Sequence, residues 1–360
     1  MSKIAISFFA GAGGLDMGIH QAGFDVKLSV ELEKKYCESL RINNPHMNVV
    51  CGDIMTYSKE KIYTEADLST EVEIDLLFGG SPCQSFSTAG KRKAFDDIRG
   101  LAMLKFAELI EEVKPKAFLI ENVTGLLSAP LKNRPKKYTG EGYPPLLDEE
   151  KKGSALEYLL KQFGSYNVNY KKINSADYGV PQKRERVFLI GIRKDLNKKF
   201  EFPIATHGKN KEKYMTFRSV MEKLNGISHE YVEYSPSRLE YMKLIPRGGG
   251  NWRDLDEDIA KKAMGGSFNS GGGKTGFFRR IKIDEPSPTI LTSPTQNSTV
   301  LGHPLEDRPL SIQEYLAIQG FPINYQLNGS LMDKYKQIGN AVPIKVAKVI
   351  GEKIIETLDE

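Results

Sequence analysis

The stretch KIAISFFAGAGGLDMG (residues 3–18) places a short apolar run before a glycine-rich turn and the start of a helical pattern. Units of this kind recur along the first half of the chain, and their apolar runs have the length of strands. The predicted strands are KIAISFFAG, VKLSVE, MNVVCGDI, IDLLFGGSPC, KAFLIENV and RVFLIGIR, and the helices between them are LDMGIHQAGF, KKYCESLRINN, LAMLKFAELIEEV and ALEYLLKQFG. This alternation predicts an α/β fold with a parallel sheet, helices on both faces, and ligands at the carboxyl ends of the strands.

Two helices have apolar residues at helical spacing, and each pattern predicts one buried face. In LAMLKFAELIEEV the predicted face consists of Leu101, Leu104, Ala107, Ile110 and Val113. In NAVPIKVAKVIGEKIIETL it consists of Val342, Val346, Val349, Ile350 and Ile354. We expect the second of these helices to pack back against the domain that the first half of the chain forms.

The alternation of strands and helices ends near residue 200, and regular structure is predicted again from about residue 300. The residues between are rich in glycine, with scattered aromatic residues and little periodicity. We therefore predict one domain from residues 1–199 plus 300–360 and a smaller, irregular domain, residues 200–299, inserted into it. Residues 129–152, rich in proline, glycine and charge, predict a surface insertion that is mobile or contacts a partner.

The composition is that of a globular protein, with 40% hydrophobic and 27% charged residues among 360. A formal net charge of +5 permits a polyanionic partner but does not establish one. No apolar run approaches the roughly 18 residues of a membrane span. The three cysteines form no CxxC pair, so we expect no metal site and a reducing, cytoplasmic compartment. Of these cysteines, we interpret Cys37 and Cys51 as apolar filler.

The glycine-rich turn after the first strand lets a ligand approach the backbone closely. A dinucleotide fingerprint has glycine where this chain has Asp16, and a carboxylate there disfavours a pyrophosphate at the helix N-terminus. A nicotinamide-dependent oxidoreductase is therefore disfavoured, and a cofactor without phosphate, such as S-adenosyl-L-methionine, is favoured. Glu31 and Asp53 end the next two strands, where they are placed for ribose hydroxyls and an adenine amino group.

Cys83 and Glu121 each follow a predicted strand, so both should lie on one rim of the sheet. A nucleophilic sulfur and an acid beside an adenosyl pocket suggest covalent activation of an electron-poor ring.

Motifs along the chain occur in the order typical of one enzyme family. They are FFAGAGG, VELE, GDI, GGSPCQSFSTAGKRKAF, RG, ENV, DYGVPQKRERVFLIG, RPLSIQEYLAIQGFP and QIGNAVP. Together they resemble the DNA (cytosine-5) methyltransferases of bacterial restriction–modification systems. The resemblance covers nearly all of the chain apart from residues 129–152 and much of 200–294. It implies a Rossmann-like sheet that binds S-adenosyl-L-methionine, with the smaller irregular domain acting as a target-recognition domain.

The resemblance implies a role for particular residues. S-adenosyl-L-methionine, converted to S-adenosyl-L-homocysteine, is expected at Phe9, Gly11, Gly13, Gly14, Glu31, Asp53, Ile54 and Asn340. The implied catalytic residues are the nucleophile Cys83, Glu121 at cytosine N3 and its amino group, Arg186 near cytosine O2, and Arg184. Arg184 and Gln182 are expected to support the site, and Pro82 and Asn122 to support its turns.

The resemblance also implies double-stranded DNA as the partner, with the target cytosine flipped out of the helix. The polar stretch after the cysteine suits a mobile lid that meets phosphates. The expected DNA-binding residues are Ser85, Ser87, Lys91 and Arg92 in that lid and Arg247, Trp252, Arg279 and Arg280 in the inserted domain. We expect a monomer without an obligate protein partner or a membrane, in the bacterial cytoplasm and associated with the nucleoid.

Two alternatives remain at this point. A tRNA cytosine-5 methyltransferase shares the catalytic motifs, but that branch carries a Cys-Phe-Thr signature in its recognition region, and this chain has no cysteine after Cys83. An inactive, sequence-specific DNA-binding protein would need a broken cysteine or glutamate, and Cys83 and Glu121 are both intact.

Overall fold

A computed structural model describes residues 2–81, 95, 98–269, 276–296 and 299–360 of the chain. Cys83 and the predicted lid residues Ser85, Ser87, Lys91 and Arg92 therefore lie outside the described residues. The chain divides into two compact units. The first contains residues 1–174, 185–204 and 347–360, and the second contains residues 175–184 and 205–346.

The described residues form short strands and helices in both units. The strands are β1 (Lys3–Phe8), β2 (Phe24–Glu31), β3 (Val49–Cys51), β4 (Leu76–Gly80), β5 (Ala117–Val123), β6 (Tyr166–Asn174), β7 (Gln182–Lys183), β8 (Glu185–Arg193), β9 (Arg279–Arg280), β10 (Ser287–Pro288), β11 (Thr295–Gln296) and β12 (Thr299–Gly302). The α-helices are α1 (Gly14–Ala22), α2 (Lys34–Asn43), α3 (Lys59–Glu65), α4 (Ile98–Val113), α5 (Ser154–Leu160), α6 (Phe217–Lys223), α7 (Pro236–Leu244), α8 (Glu257–Met264), α9 (Ile312–Gln319), α10 (Leu331–Asn340) and α11 (Ile344–Asp359).

A seven-stranded sheet forms the centre of the first unit, in the order β3-β2-β1-β4-β5-β8-β6. The strands β1 to β5 pair in parallel, as predicted, and the α/β class is confirmed. The prediction of a wholly parallel sheet is wrong, because β8 runs antiparallel to β5 and β6 antiparallel to β8. The strand β6 was not predicted, since its sequence YNVNYKKIN is mostly polar and only two of its nine residues are buried at the edge of the sheet.

Close packing on the sheet depends on small residues at two positions. A Cβ atom on Gly191 would lie 2.0 Å from the ring of Phe118 on the neighbouring strand, so only glycine leaves room for that ring. In α11, a Cβ atom on Gly351 would lie 2.7 Å from the Cβ of Ala22 at the end of α1. The last helix therefore packs on the first unit, as predicted, and residues 347–360 belong to that unit.

The buried face of α4 differs in part from the prediction. Ala107, Ile110 and Val113 are buried, but Leu101 is 46% exposed. The hydrophobic core instead takes Met103 and Phe106, which lie between the predicted positions on the helix.

The second unit has short strands and a core of its own. Its core consists of Tyr234, Met242, Ile245, Met264, Phe277, Phe278 and Val300. Residues 300–346 belong to this unit, so the predicted return to the first domain at residue 300 differs from the observed return at 347. Ion pairs join this segment to residues 205–299, because the buried Arg280 donates to the carboxylate of Asp307 and Lys334 pairs with Glu230 at 2.8 Å.

Residues 129–152 form the predicted insertion in the first unit. One arginine organises it: Arg134 donates from Nε and Nη2 to the carboxylate of Glu150, at 2.8 and 2.5 Å, and from Nη1 to the carbonyl of Pro144. A bidentate pair of this kind fixes both ends of a loop. Contact of the insertion with a partner stays a prediction.

Along the described residues, no helix combines the length and the apolar composition that crossing a bilayer requires.

Candidate active site

The parallel strands of the first unit end at one edge of the sheet, and the predicted site residues follow those ends. Phe8 at the end of β1 pairs with Gly79, and Gly80 at the end of β4 pairs with Glu121. Glu31 at the end of β2 pairs with Cys51 at the end of β3. The sequence pattern therefore located this edge correctly.

The turn between β1 and α1 has an unusual backbone. Phe9, Gly11 and Gly13 all have a positive φ, at 57°, 58° and 79°. Glycine adopts this conformation freely, whereas for Phe9 it is a strained conformation of the kind found at ligand sites. The ring of Phe9 is partly buried and lies edge-on to Phe106, with 5.7 Å between ring centroids.

The carboxylate of Glu31 holds this turn in place. Its Oε2 accepts a hydrogen bond from the Gly11 N–H at 2.7 Å, and its Oε1 accepts one from the Glu33 N–H at 2.9 Å. The side chain is 8% exposed, and burial raises the pKa of Glu31. Each carboxylate oxygen keeps a free lone pair that a ligand hydroxyl can use.

Asp53 lies just after the neighbouring strand β3. Its Oδ1 accepts a hydrogen bond from the Met55 N–H at 3.0 Å and caps the short 3₁₀ turn Ile54–Thr56. Asp53 is exposed, whereas Ile54 is buried. The two strand ends thus present one buried and one exposed carboxylate.

Asp16 does not face the ligand side of the turn, which corrects the argument made from its sequence position. Its side chain is fully buried, and Oδ1 accepts a hydrogen bond from Ser29 Oγ at 2.6 Å. Burial raises the pKa of Asp16 to about 6. The case against a pyrophosphate therefore rests on Glu31 and Asp53, not on Asp16.

Replacing Asp16 by asparagine is expected to stabilise the protein at pH 8. Because the pKa of Asp16 is raised to about 6, its contribution to stability is fully present below pH 4 and is lost as the pH rises through 6. Above that pH the folded protein carries a buried charge that asparagine lacks, so Asp16→Asn should gain roughly 1–3 kcal/mol. Urea unfolding at pH 8 and pH 5 measures the difference, which should shrink at pH 5; a less stable variant at pH 8 would contradict the assignment.

Glu121 and Arg186 form an ion pair on neighbouring strands. Arg186 Nε lies 3.1 Å from Glu121 Oε1, and the two side chains are only 18% and 9% exposed. Gly80 leaves space for this carboxylate, because a Cβ there would lie 3.2 Å from Glu121 Oε2. The structure thus brings together two of the four predicted catalytic residues.

Asn122 fixes the chain that leads towards Cys83. Its Nδ2 donates to the Oγ and the carbonyl of Ser81, at 2.9 and 3.3 Å, and its Oδ1 accepts from the Val123 N–H. Both Asn122 and Ser81 are buried. The last described residue before the nucleophile motif is therefore held beside Glu121, a role of Ser81 that sequence analysis missed.

In the second unit, buried hydrogen bonds link three of the sequence motifs. Arg184 is buried and donates to the carbonyls of Gly339 and Asn340, at 3.0 and 3.3 Å. Gln182 Nε2 donates to Gln319 Oε1 at 3.0 Å, and Gln319 in turn donates to the carbonyls of Ile338 and Ala341. Arg184 is thus a positioning residue within this unit. Gln319 was missed, although its motif AIQGFP was recognised.

The predicted cofactor residues fall into both units. Asn340 belongs to the second unit and is exposed, whereas the others belong to the first. Gly13 and Gly14 begin α1 as its N-cap and first residue.

The two described cysteines differ. Cys37 is buried, and burial raises its pKa to about 12, so it is apolar filler as interpreted. Cys51 is exposed, so the interpretation as filler is wrong for this residue. Among the described residues, no group of three His, Cys, Asp or Glu side chains is placed to hold a metal ion.

The four predicted DNA contacts of the second unit have different surroundings. Arg247 is 65% exposed and lies 3.7 Å from Asp307, and Trp252 lies edge-on to Phe268. Arg279 is partly buried. Arg280 is fully buried and donates all five of its N–H groups within the unit, so its predicted DNA contact is wrong.

Comparison with known proteins agrees with this arrangement. A family model described as C-5 cytosine-specific DNA methylase matches residues 4–356. The chain belongs to this family. It is therefore a DNA (cytosine-5)-methyltransferase that uses S-adenosyl-L-methionine, and the tRNA alternative loses its support.

Individual relatives of the methyltransferase cover nearly all of it. The type II methyltransferase M.Sau96I of Staphylococcus aureus is 42% identical over 98% of this chain and 75% of the relative. M.PspPI of Psychrobacter is 39% identical over 98% of this chain and 79% of that relative. A solved DNA modification methyltransferase from an Escherichia coli prophage superposes over 100% of both chains, with a TM-score of 0.68 and 25% identity.

The strand ends of this methyltransferase fit S-adenosyl-L-methionine. The glycine turn leaves its backbone open, and Glu31 and Asp53 offer carboxylate oxygens to hydroxyl and amino groups. Neither Lys nor Arg occurs in FFAGAGG, VELE or GDI, which agrees with a cofactor that carries no phosphate. The cofactor supplies an electrophilic methyl group.

Proposed function

We propose that the methyltransferase modifies one cytosine within a specific sequence of double-stranded DNA, through a transient covalent bond to Cys83. The observation that carries this proposal is the buried carboxylate of Glu121, paired with Arg186 and lying beside Gly80 at the end of the strand that leads to Cys83.

The chemistry of cytosine explains these residue types. Carbon 5 is a poor nucleophile until a thiolate adds at carbon 6, and the bond from Cys83 to carbon 6 makes the ring electron-rich. Glu121 hydrogen-bonds N3 with its proton and favours that addition. After carbon 5 has accepted the methyl group, water takes the carbon 5 proton, the electrons of that C–H bond re-form the 5,6 double bond, and Cys83 leaves as a thiolate.

Arg186 and Asn122 prepare the site in different ways. The guanidinium of Arg186 holds the carboxyl group of Glu121 in position and offers further N–H groups to the oxygen of the base. The amide of Asn122 holds Ser81, which precedes Cys83 by two residues in the sequence. Such preorganised contacts matter because a misplacement of about 1 Å can lower the rate roughly 100-fold.

A stacked base cannot react in this way, so the cytosine must be flipped, at a cost of a few kcal/mol. The polar residues after Cys83 suit a lid that closes over the flipped base. Its proposed phosphate contacts are Ser85, Ser87, Lys91 and Arg92.

We keep the predicted cofactor contacts as part of the proposal. Glu31 is suited to the ribose hydroxyls, and Asp53 and Ile54 to the adenine. Phe9 and the turn glycines suit the remaining parts of S-adenosyl-L-methionine, and Asn340 stays a predicted contact.

The second unit is proposed to select the DNA sequence. Its partner would be duplex DNA, as expected for the type II relatives, with a restriction–modification role in the bacterial cytoplasm at the nucleoid. The basic residues Arg247 and Arg279 and the aromatic Trp252 are the candidates for contact.

Expression in a host that lacks cytosine methylation tests the proposed function. Bisulfite sequencing of the host DNA should find methylated cytosines confined to one short sequence, and purified protein should transfer labelled methyl groups to duplex DNA but not to tRNA. Labelled tRNA would support the RNA alternative. Binding of duplex DNA without transfer of methyl groups would support the alternative of an inactive, sequence-specific DNA-binding protein.

A further inference from the structure

Among the residues that the structure describes, the guanidinium group of Arg279 has no acceptor. Its Nε is buried and has no hydrogen-bond partner. Every other arginine whose side chain the structure describes contacts an acceptor, a carboxylate or an aromatic ring. Burial without a compensating charge lowers the pKa of Arg279.

The next residue shows how the chain treats an arginine that serves the fold. Arg280 donates to the carbonyls of Met242, Ile245, His303 and Glu306 and to the carboxylate of Asp307. Successive residues of a strand point to opposite faces, so the two arginines of β9 face different surroundings. Arg280 is saturated with acceptors, whereas Arg279 has none in the described part of the chain.

The backbone of Arg279 is held on both sides. On one side β9 pairs with β12, where Arg279 lies opposite Leu301. On the other side Arg279 bridges to Asn251, and the Arg280 N–H donates to the carbonyl of Gly250 at 2.8 Å. The side chain of Arg279 therefore starts from a fixed position beside the RGGGNW segment, residues 247–252.

Resting on the proposed function, we infer that Arg279 is a specificity-determining residue that binds a guanine of the recognised DNA sequence through the major groove. With Nε buried, the two Nη groups form the outer edge of the guanidinium, and guanine O6 and N7 match that fork. The cost of leaving the group without an acceptor is then offset when DNA supplies one.

A phosphate contact fits Arg279 less well. Phosphates are usually met by exposed, hydrated cations, and in this unit Arg247, 65% exposed, is such a residue. Arg279 is recessed and fixed instead, which suits the reading of one base edge.

Replacing Arg279 by methionine separates a role in binding from a role in folding. Because the guanidinium has no acceptor among residues 276–296, 299–360 and the other described ranges, Arg279→Met should unfold at the same temperature as the wild-type protein or at a higher one. Arg280→Met should unfold at a much lower temperature, since it loses five hydrogen bonds. A clear drop in the unfolding temperature of Arg279→Met would show that the group has a structural partner and would overturn the inference.

A base analogue tests the contact itself. Once bisulfite sequencing has given the recognised sequence, each guanine in a duplex is replaced in turn by 7-deazaguanine, which lacks the N7 acceptor. At one position the wild-type affinity should fall by roughly 5-fold, the low end for a bidentate pair because the O6 contact remains, and Arg279→Met should show no further loss there. The matched control, Arg218→Met, removes an exposed arginine paired with Asp284 and should behave as the wild-type protein.

The results separate the inference from the proposed function. Two results would indicate a phosphate contact and overturn the inference. In the first, the losses of affinity from 7-deazaguanine and from Arg279→Met add at every guanine. In the second, Arg279→Met loses affinity equally for all DNA sequences, and its slope of log affinity against log salt concentration is shallower by about 0.9. A wild-type protein that fails to methylate duplex DNA would overturn the proposed function instead.

Discussion

Replacing Cys83 by serine is expected to reduce methyl transfer to background while leaving sequence-specific DNA binding largely intact. The reaction needs an anionic nucleophile, and roughly a few per cent of cysteine thiols are ionised near pH 7. A serine hydroxyl in the same place is ionised far less. The exchange of sulfur for oxygen removes no phosphate contact, so affinity for the DNA should persist.

The control for this variant is the exposed Cys51, which ends β3. Cys51→Ser also removes a thiol and should keep the wild-type rate. Cys37 cannot replace the nucleophile, because burial raises its pKa to about 12. Full activity of Cys83→Ser would show that the covalent route is wrong, as would loss of activity in Cys51→Ser alone.

The second large effect is expected for Glu121→Gln, which should lower kcat by roughly 10²–10⁴-fold. Glutamine keeps the size of glutamate and can form hydrogen bonds, but it supplies no proton to N3 and loses the ion pair with Arg186. The affinity for S-adenosyl-L-methionine should change little, since the proposed cofactor contacts lie at other strand ends.

Glu185→Gln is the matched control for Glu121→Gln. Glu185 begins the neighbouring strand β8, is exposed, and pairs with Lys172 at 2.9 Å. This variant loses the same charge and should keep the wild-type kcat. Single-turnover rates and cofactor titrations would be measured together, and an unchanged rate with weakened cofactor binding in Glu121→Gln would place Glu121 in the cofactor pocket.

The buried parallel strands were predictable because their sequences are short apolar runs with distinct turn residues at each end. Runs such as LLFGG in β4 and AFLIENV in β5 are buried on both faces, so their apolar composition alone predicts a strand. The strand β6 has no such signal, since its outward residues are polar at the edge of the sheet. Nor does sequence show that β8 inserts between β5 and β6 in the antiparallel direction.

The site residues were predictable in position but less so in surroundings. The motifs placed Glu31 and Glu121 at strand ends, where the structure has them. Asp16 appeared to line the turn, yet its side chain lies inside the fold against Ser29. The sequence also does not distinguish Arg279 from Arg280, because the burial of each arginine depends on which face of the strand the rest of the chain covers.

The boundary of the second unit shows a further limit of sequence patterns. An amphipathic helix reveals that one face is buried but not what covers it. The helices α9 and α10 look like a return to regular α/β structure. In the structure they belong to the second unit, where Tyr315 and Tyr335 pack edge-on with centroids 4.9 Å apart.

The central claim is the covalent bond between Cys83 and the target base. Duplex DNA with 5-fluorocytosine at the target has no proton to lose from carbon 5, so the bond should persist after methylation. Incubation with S-adenosyl-L-methionine, denaturation, digestion and mass spectrometry should find the methylated base on the peptide that contains Cys83, and no adduct without the cofactor. An adduct on Cys37 or Cys51, or methyl transfer to the fluorinated base without any adduct, would contradict the account.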